Sequence, residues 1–121
     1  MTEDFKIFFS DVCTLYHVDK NKKVERHIVL NSMIFKAEEN VFSEKGDVLK
    51  KDILKVTILQ EQLPTFLIKL GDFLVLGDAP IISTEDDYIN LRREKGKIWR
   101  ITRVEYCLNA PWLKHIQLLL S

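Results

Sequence analysis

The sequence has no excess of either charge: 18 basic residues balance 18 acidic ones over 121 positions. That balance argues against a strongly electrostatic nucleic-acid binder, whose domain is usually basic. It argues equally against a polybasic membrane-surface protein. It leaves little self-repulsion to oppose association. Cysteine is scarce, and the two present, Cys13 and Cys107, lie far apart. They read as small buried apolar residues in a reducing compartment, not as a disulfide framework. The 4 glycines are scattered at positions 46, 71, 77 and 96, which suits turns and caps rather than a phosphate cradle. Neither a P-loop, a G-x-G-x-x-G nor a G-x-S-x-G elbow occurs. No apolar run approaches the roughly 18–20 residues of a transmembrane helix. The acidic start, Met1-Thr2-Glu3-Asp4, and the short run Phe5–Phe9, broken by Lys6, do not make a secretory signal. The expectation is a protein made in the cytoplasm, without a membrane partner.

What is present is a chain 46% apolar and 30% charged, which excludes a disordered tail or a fibrous repeat. Its length suits one compact domain spanning 1–121. The dominant period is two, the mark of half-buried strands. Val12, Thr14, Tyr16 and Val18 share one face of a first strand, and Cys13, Leu15 and His17 the other. The polar run 19–23 reads as a turn. A second strand over 26–36 places Ile28, Leu30, Ser32 and Ile34 on one face, with Met33 and Phe35 opposite. The charged stretch 36–52, with Glu-Lys-Gly-Asp at 44–47, reads as a long charged loop or an extended hairpin. Cleaner alternation follows at Leu54, Val56 and Ile58, before Pro64 interrupts the ladder. Phe73–Leu76 is a short apolar strand between the turns Gly71-Asp72 and Gly77–Pro80.

One segment looks helical. Thr84 is a candidate N-cap ahead of Glu85, Asp86 and Asp87, whose carboxylates suit the positive end of a helix. Arg92, Arg93 and Lys95 suit the other end, and Gly96 suits the residue after it. Strand character returns over 97–107, where neither face is purely apolar. After a turn at Asn109-Ala110-Pro111, a last strand places Ile116, Leu118 and Leu120 on one face. The fold class expected is mainly β: a small antiparallel β-barrel or sandwich of about six or seven strands with one short α-helix.

Chemistry finds little purchase. His17, His27 and His115 have no metal-ligand spacing, and no C-x-x-C occurs. Cys13 and His17 share a strand face, but four residues of strand is about 13 Å, beyond hydrogen-bond reach. Cys107 and His115 flank a turn, as many residue pairs do. Asp86 and Asp87 are explained by the helix dipole. No catalytic residue, metal or cofactor is expected, and the protein is not read as an enzyme. An alternative reading is a small OB-like or Sm-like barrel that binds nucleic acid or peptide. Its basic clusters would be Lys20, Lys22, Lys23 and Arg26, and Arg92, Arg93, Lys95 and Lys97. Trp99, Tyr106 and Trp112 would be its stacking aromatics. Core or interface packing explains the tryptophans more simply.

Several strands are apolar on both faces: Met33 and Phe35 oppose Ile34, and Leu74 and Leu76 oppose Phe73 and Val75. Such strands need a second layer, either the helix or another chain. The stretch 36–52 is then a candidate contact arm, with Lys36, Glu38, Glu39, Phe42, Lys45, Lys50 and Lys51 as its interaction residues.

Three places give this order of features a resemblance. Asp11–His17 is similar to an opening strand of V-T-L-Y type, and Leu70–Gly77 to a G-D-x-x-V-x-G strand whose turn residues are Gly71, Asp72 and Gly77. Ile101–Val104 with Trp112–Leu118 is similar to a closing strand pair, although Ile116 stands after His115 where an aromatic is usual. The chain thereby resembles the small head–tail joining proteins of tailed bacteriophages, both head-closure (stopper) and tail-completion types. The resemblance implies a virion structural protein at the neck, a β-barrel assembling as an oligomeric ring between portal and tail. Its implied partners are neighbouring copies of itself, the portal or adaptor protein, tail proteins, and DNA passing through the channel without sequence specificity.

Overall fold

The computed structural model describes residues 9–109 and 113–121. Six strands form one antiparallel sheet: β1 (Asp11–Val18), β2 (Val24–Phe42), β3 (Val48–Leu59), β4 (Phe73–Leu76), β5 (Trp99–Cys107) and β6 (His115–Leu120). A 3-10 turn, Gln60–Gln62, follows β3, and one helix, α1 (Glu85–Lys95), lies between β4 and β5. The strand order is β1-β2-β3-β6-β5-β4, and β4 returns to pair with β1, closing the sheet into a barrel. Closure removes the free edges that an open sheet of this size would expose. The expected class is the one found, in its barrel rather than its sandwich form.

The barrel is filled by the inward alternation of every strand. Cys13 and Leu15 from β1, Leu54, Val56 and Ile58 from β3, and Ile116, Leu118 and Leu120 from β6 meet in one buried cluster with Val29, Leu74, Trp99 and Ile101. Ile68, on the irregular connection after Pro64, joins the same cluster. The outward side of β1 and β4 carries a second cluster of Tyr16, Phe73, Val75, Ala79, Ile82 and Leu91. Leu91 is the buried residue of α1, so the helix is the second layer that these strands needed. Tyr16 stacks on Phe73 at 4.9 Å between ring centroids, and Tyr88 meets Phe73 edge-on at 5.6 Å.

The helix begins and ends where its sequence says. The Thr84 hydroxyl accepts from the Asp87 backbone N–H at 3.2 Å, and the Asp87 carboxylate accepts from Thr84 N–H at 3.1 Å and Ser83 N–H at 3.0 Å. This reciprocal capping satisfies donors that the first turn leaves without partners. Gly96 terminates the helix at φ 78°, in the left-handed region that favours glycine.

Two expectations are corrected. The reading of 36–52 as a long charged loop gives way to the hairpin. Residues 36–42 pair in register with 48–54, from Lys36↔Leu54 to Phe42↔Val48, leaving only 43–47 as the turn. Apolar pairs on either side of Gly46, Val41-Phe42 and Val48-Leu49, make strand pairing favourable there. The second correction concerns Leu30, placed on one face with Ile28, Ser32 and Ile34. Cys13 pairs with Val29 and Asp11 with Ser32, so Leu30 and Asn31 oppose Val12 alone. This bulge shifts the alternation by one residue. Val29 and Ser32 therefore point inward, while Leu30 is 60% exposed. A similar irregularity between Ile101 and Arg103 explains why neither face of β5 reads as apolar throughout. The expected turn at Asn109-Ala110-Pro111 extends outside the described residues, as do Met1–Asp4 and Trp112.

Candidate interaction surface

The most distinctive surface is the far half of the β2–β3 hairpin. β6 leaves β3 at the pair Leu54↔Leu120, and Ser121 then bonds Arg100 on β5 in both directions at 2.9 Å. On the other side, β1 leaves β2 at Asp11↔Ser32, and the Asp11 carboxylate takes the Ile34 N–H at 2.9 Å. Beyond these points β2 and β3 pair only with each other among the described residues. Six further pairs, Ala37↔Ile53 to Phe42↔Val48, carry the hairpin onward. At about 3.4 Å per residue, this arm extends roughly 20 Å past the barrel.

Its turn is built locally. The Ser43 N–H donates to the Asp47 carbonyl at 2.8 Å, and the Gly46 N–H to the Ser43 carbonyl at 2.9 Å. The Ser43 hydroxyl accepts from the Asp47 N–H at 3.1 Å. Gly46 has φ 81°, a conformation costly for a side-chain-bearing residue.

The structure brings most of the expected arm residues onto these two strands. Lys36 lies at the base, its Nζ 5.8 Å from the centroid of Trp99. Glu38 and Glu39 follow on β2, Lys50 and Lys51 on β3, and Lys45 sits in the turn. Glu39 opposes Lys51, and Asn40 opposes Lys50. The Glu38 carboxylate approaches Lys50 Nζ diagonally at 3.9 Å, both side chains being mostly exposed. Phe42, at the tip, is 74% exposed. The sequence reading missed Val41, Val48 and Leu49, which complete an exposed apolar tip. Their signal was present as two apolar pairs flanking a glycine turn. On the outward face of β2 nearer the barrel, Met33 and Phe35 are exposed at 40% and 62%. α1 does not cover them, unlike the outward side chains of β1 and β4.

The motif turns serve the barrel. Gly71 (φ 92°) donates its N–H to the Ile101 carbonyl, and Gly77 (φ 82°) to the Val12 carbonyl at 2.8 Å. The Thr14 hydroxyl donates to the Gly77 carbonyl and accepts from the Ala79 N–H, tying that turn to β1. Asp72 is more than a turn residue. Its buried carboxylate accepts from His17 Nδ1 at 2.8 Å and from the Lys69 N–H at 2.8 Å. His17 also stacks on Phe66 at 5.2 Å. No local pattern signals this pair, because 55 residues separate its members.

The arrangement is poorly suited to nucleophilic or metal chemistry among the described residues. No group of three His, Cys, Asp or Glu side chains is gathered as a metal site there. Both cysteines are free. Burial pushes the Cys13 thiol up to about 11, against the reactive thiolate form. Cys107 and His115 are directly opposed on β5 and β6, but the His115 Nδ1–H donates to the Leu113 carbonyl at 2.9 Å. Trp99 is 3% exposed and packs in the barrel, with Lys97 Nζ 4.6 Å from its ring centroid, so it offers no open stacking platform. No described helix is long and apolar enough to cross a membrane. No protein-family model matches the chain, and no curated protein matches it.

Proposed function

We propose that the protein is a phage virion structural component that joins head to tail. In this reading it forms a ring between portal and tail and extends the DNA channel. The observation that carries the reading is the arm: a paired hairpin with an exposed apolar tip on a closed barrel that needs no edge of its own. A self-contained barrel gains nothing from exposing Phe42, Val48 and Leu49, whereas a subunit that grips a neighbour does. The uncovered Met33 and Phe35 support the same view, and the balanced charge permits close packing of copies. The role is mechanical, with the portal or adaptor on one side and tail proteins on the other. DNA passes without base-specific contacts.

The test is electron microscopy of a lysate from a phage or prophage lacking this gene. Separate heads and tails are the expected outcome. Empty heads assign a stopper that retains DNA, and filled heads a component acting on the tail side. Intact, normally tailed particles would overturn the reading.

A further inference from the structure

The arm has a property that its apolar tip does not explain: its two strands carry opposite charge. From base to tip, the β2 strand presents Lys36, Glu38 and Glu39, and the β3 strand presents Asp52, Lys51 and Lys50. Across the ladder Glu38 faces Asp52, so two acids oppose each other at that level, while Glu39 faces Lys51. The match within one hairpin is therefore imperfect, and a second copy set alongside improves it by a stagger of two residues. With that stagger, the β2 strand of one arm beside the β3 strand of another sets Lys36 opposite Asp52 and Glu38 opposite Lys50, with Glu39 diagonal to Lys51. Within one copy these charges are hardly consumed. The Glu38–Lys50 approach at 3.9 Å is the sole ion pair among the described residues of the arm.

The backbone points the same way. Each strand of a two-stranded ribbon has a row of N–H and C=O groups facing away from its partner. On the barrel those rows are filled by β1 and β6, and on the arm no described strand fills them. Two acidic edges, or two basic edges, repel when brought together. An acidic edge against a basic edge does not. The favoured contact is therefore between different edges, which is heterologous and propagates around a ring instead of stopping at a dimer.

We infer that the arms of successive copies pair edge to edge, the β2 strand of one against the β3 strand of the next, into a continuous antiparallel collar. This inference deepens the ring reading above and rests on it, with a second copy of this chain as the occupant of each edge.

Charge reversal tests it in the full-length protein. One variant carries Glu38→Lys with Glu39→Lys, so both its edges are basic. The other carries Lys50→Glu with Lys51→Glu, so both are acidic. By sedimentation velocity at increasing concentration, the wild type is expected to self-associate, and less so as salt is raised. Each variant alone is expected to remain monomeric. Mixed in equal amounts, the two should associate again, because every contact then joins a basic edge to an acidic one. The fourfold variant, with the edges exchanged, should associate by itself. Recovery on mixing cannot come from misfolded chains, so it separates pairing from simple damage. A wild type monomeric up to its solubility limit, variants that associate as the wild type does, or a mixture that stays monomeric would each overturn the collar. The joining role would still stand or fall by the deletion phenotype alone.

Discussion

At the residue scale, the buried His17–Asp72 pair pins β1 to the turn that starts β4. Its two bonds of 2.8 Å to the Asp72 carboxylate lie where water cannot replace them. Removing the acceptor strands two donors, which costs more than the net value of the bonds themselves. Asp72→Ala is expected to lose roughly 2–4 kcal/mol in urea unfolding. Asp72→Asn, which keeps an acceptor oxygen, should lose less. Two other buried groups predict the alkaline limit of the fold. Burial pushes Cys13 from 9.0 to about 11 and Tyr16 from 10.0 to about 12. Both native pKa values lie above the unfolded ones, so these groups leave stability intact below pH 9. Above it the unfolded chain sheds protons that the native state retains. Unfolding free energy should therefore fall from about pH 9 and continue falling toward pH 12. Cys13→Ala should move the onset upward by about one unit, toward the Tyr16 range that starts at 10.0. An unchanged onset would assign the loss elsewhere.

At the element scale, the arm is held by its own ladder and turn. Gly46 stands at φ 81° with open space where a Cβ would sit, so a substitution there strains the backbone without creating a clash. Gly46→Val should cost roughly 1–2 kcal/mol locally, since a left-handed residue other than glycine is penalised by that order. The predicted signature is faster amide exchange over 38–51, with protection in β1, β4 and β6 unchanged. Loss of protection across the barrel would mean that arm and barrel fold as one cooperative unit. The bulge at Leu30 and Asn31 sets which way the arm faces. It puts Ser32 and Ile34 inside the barrel and leaves Met33 and Phe35 outside. Alternation read along the chain cannot see such an insertion, because it is defined only against the partner strand.

At the scale of the whole molecule, barrel and arm are separable in their packing. Every buried residue of the two core clusters lies outside 36–52. Replacing residues 38–51 by a short glycine-containing turn is expected to leave a folded, cooperatively melting barrel. The same replacement should abolish self-association, because both pairing edges are lost. A barrel that fails to fold without the arm would show that the arm stabilises the subunit itself. A shortened chain that still associates would place the contact elsewhere, with exposed Leu67, Leu70 and Tyr106 as the next surface to alter.

Local patterning determined much of this. The period-two runs marked strands β1, β3 and β6, a short apolar run between turns marked β4, and Thr84 and Gly96 set the ends of the helix, because caps, turns and alternation depend on near neighbours. Barrel closure, the two irregular registers and the His17–Asp72 pair were decided only in three dimensions. Each depends on which strand lies beside which, a choice made by pairing between residues far apart in the chain. The candidate surface divides in the same way. Its charged residues stood out in the sequence, while the pairing that makes 36–52 a ribbon with two opposite edges came from the fold.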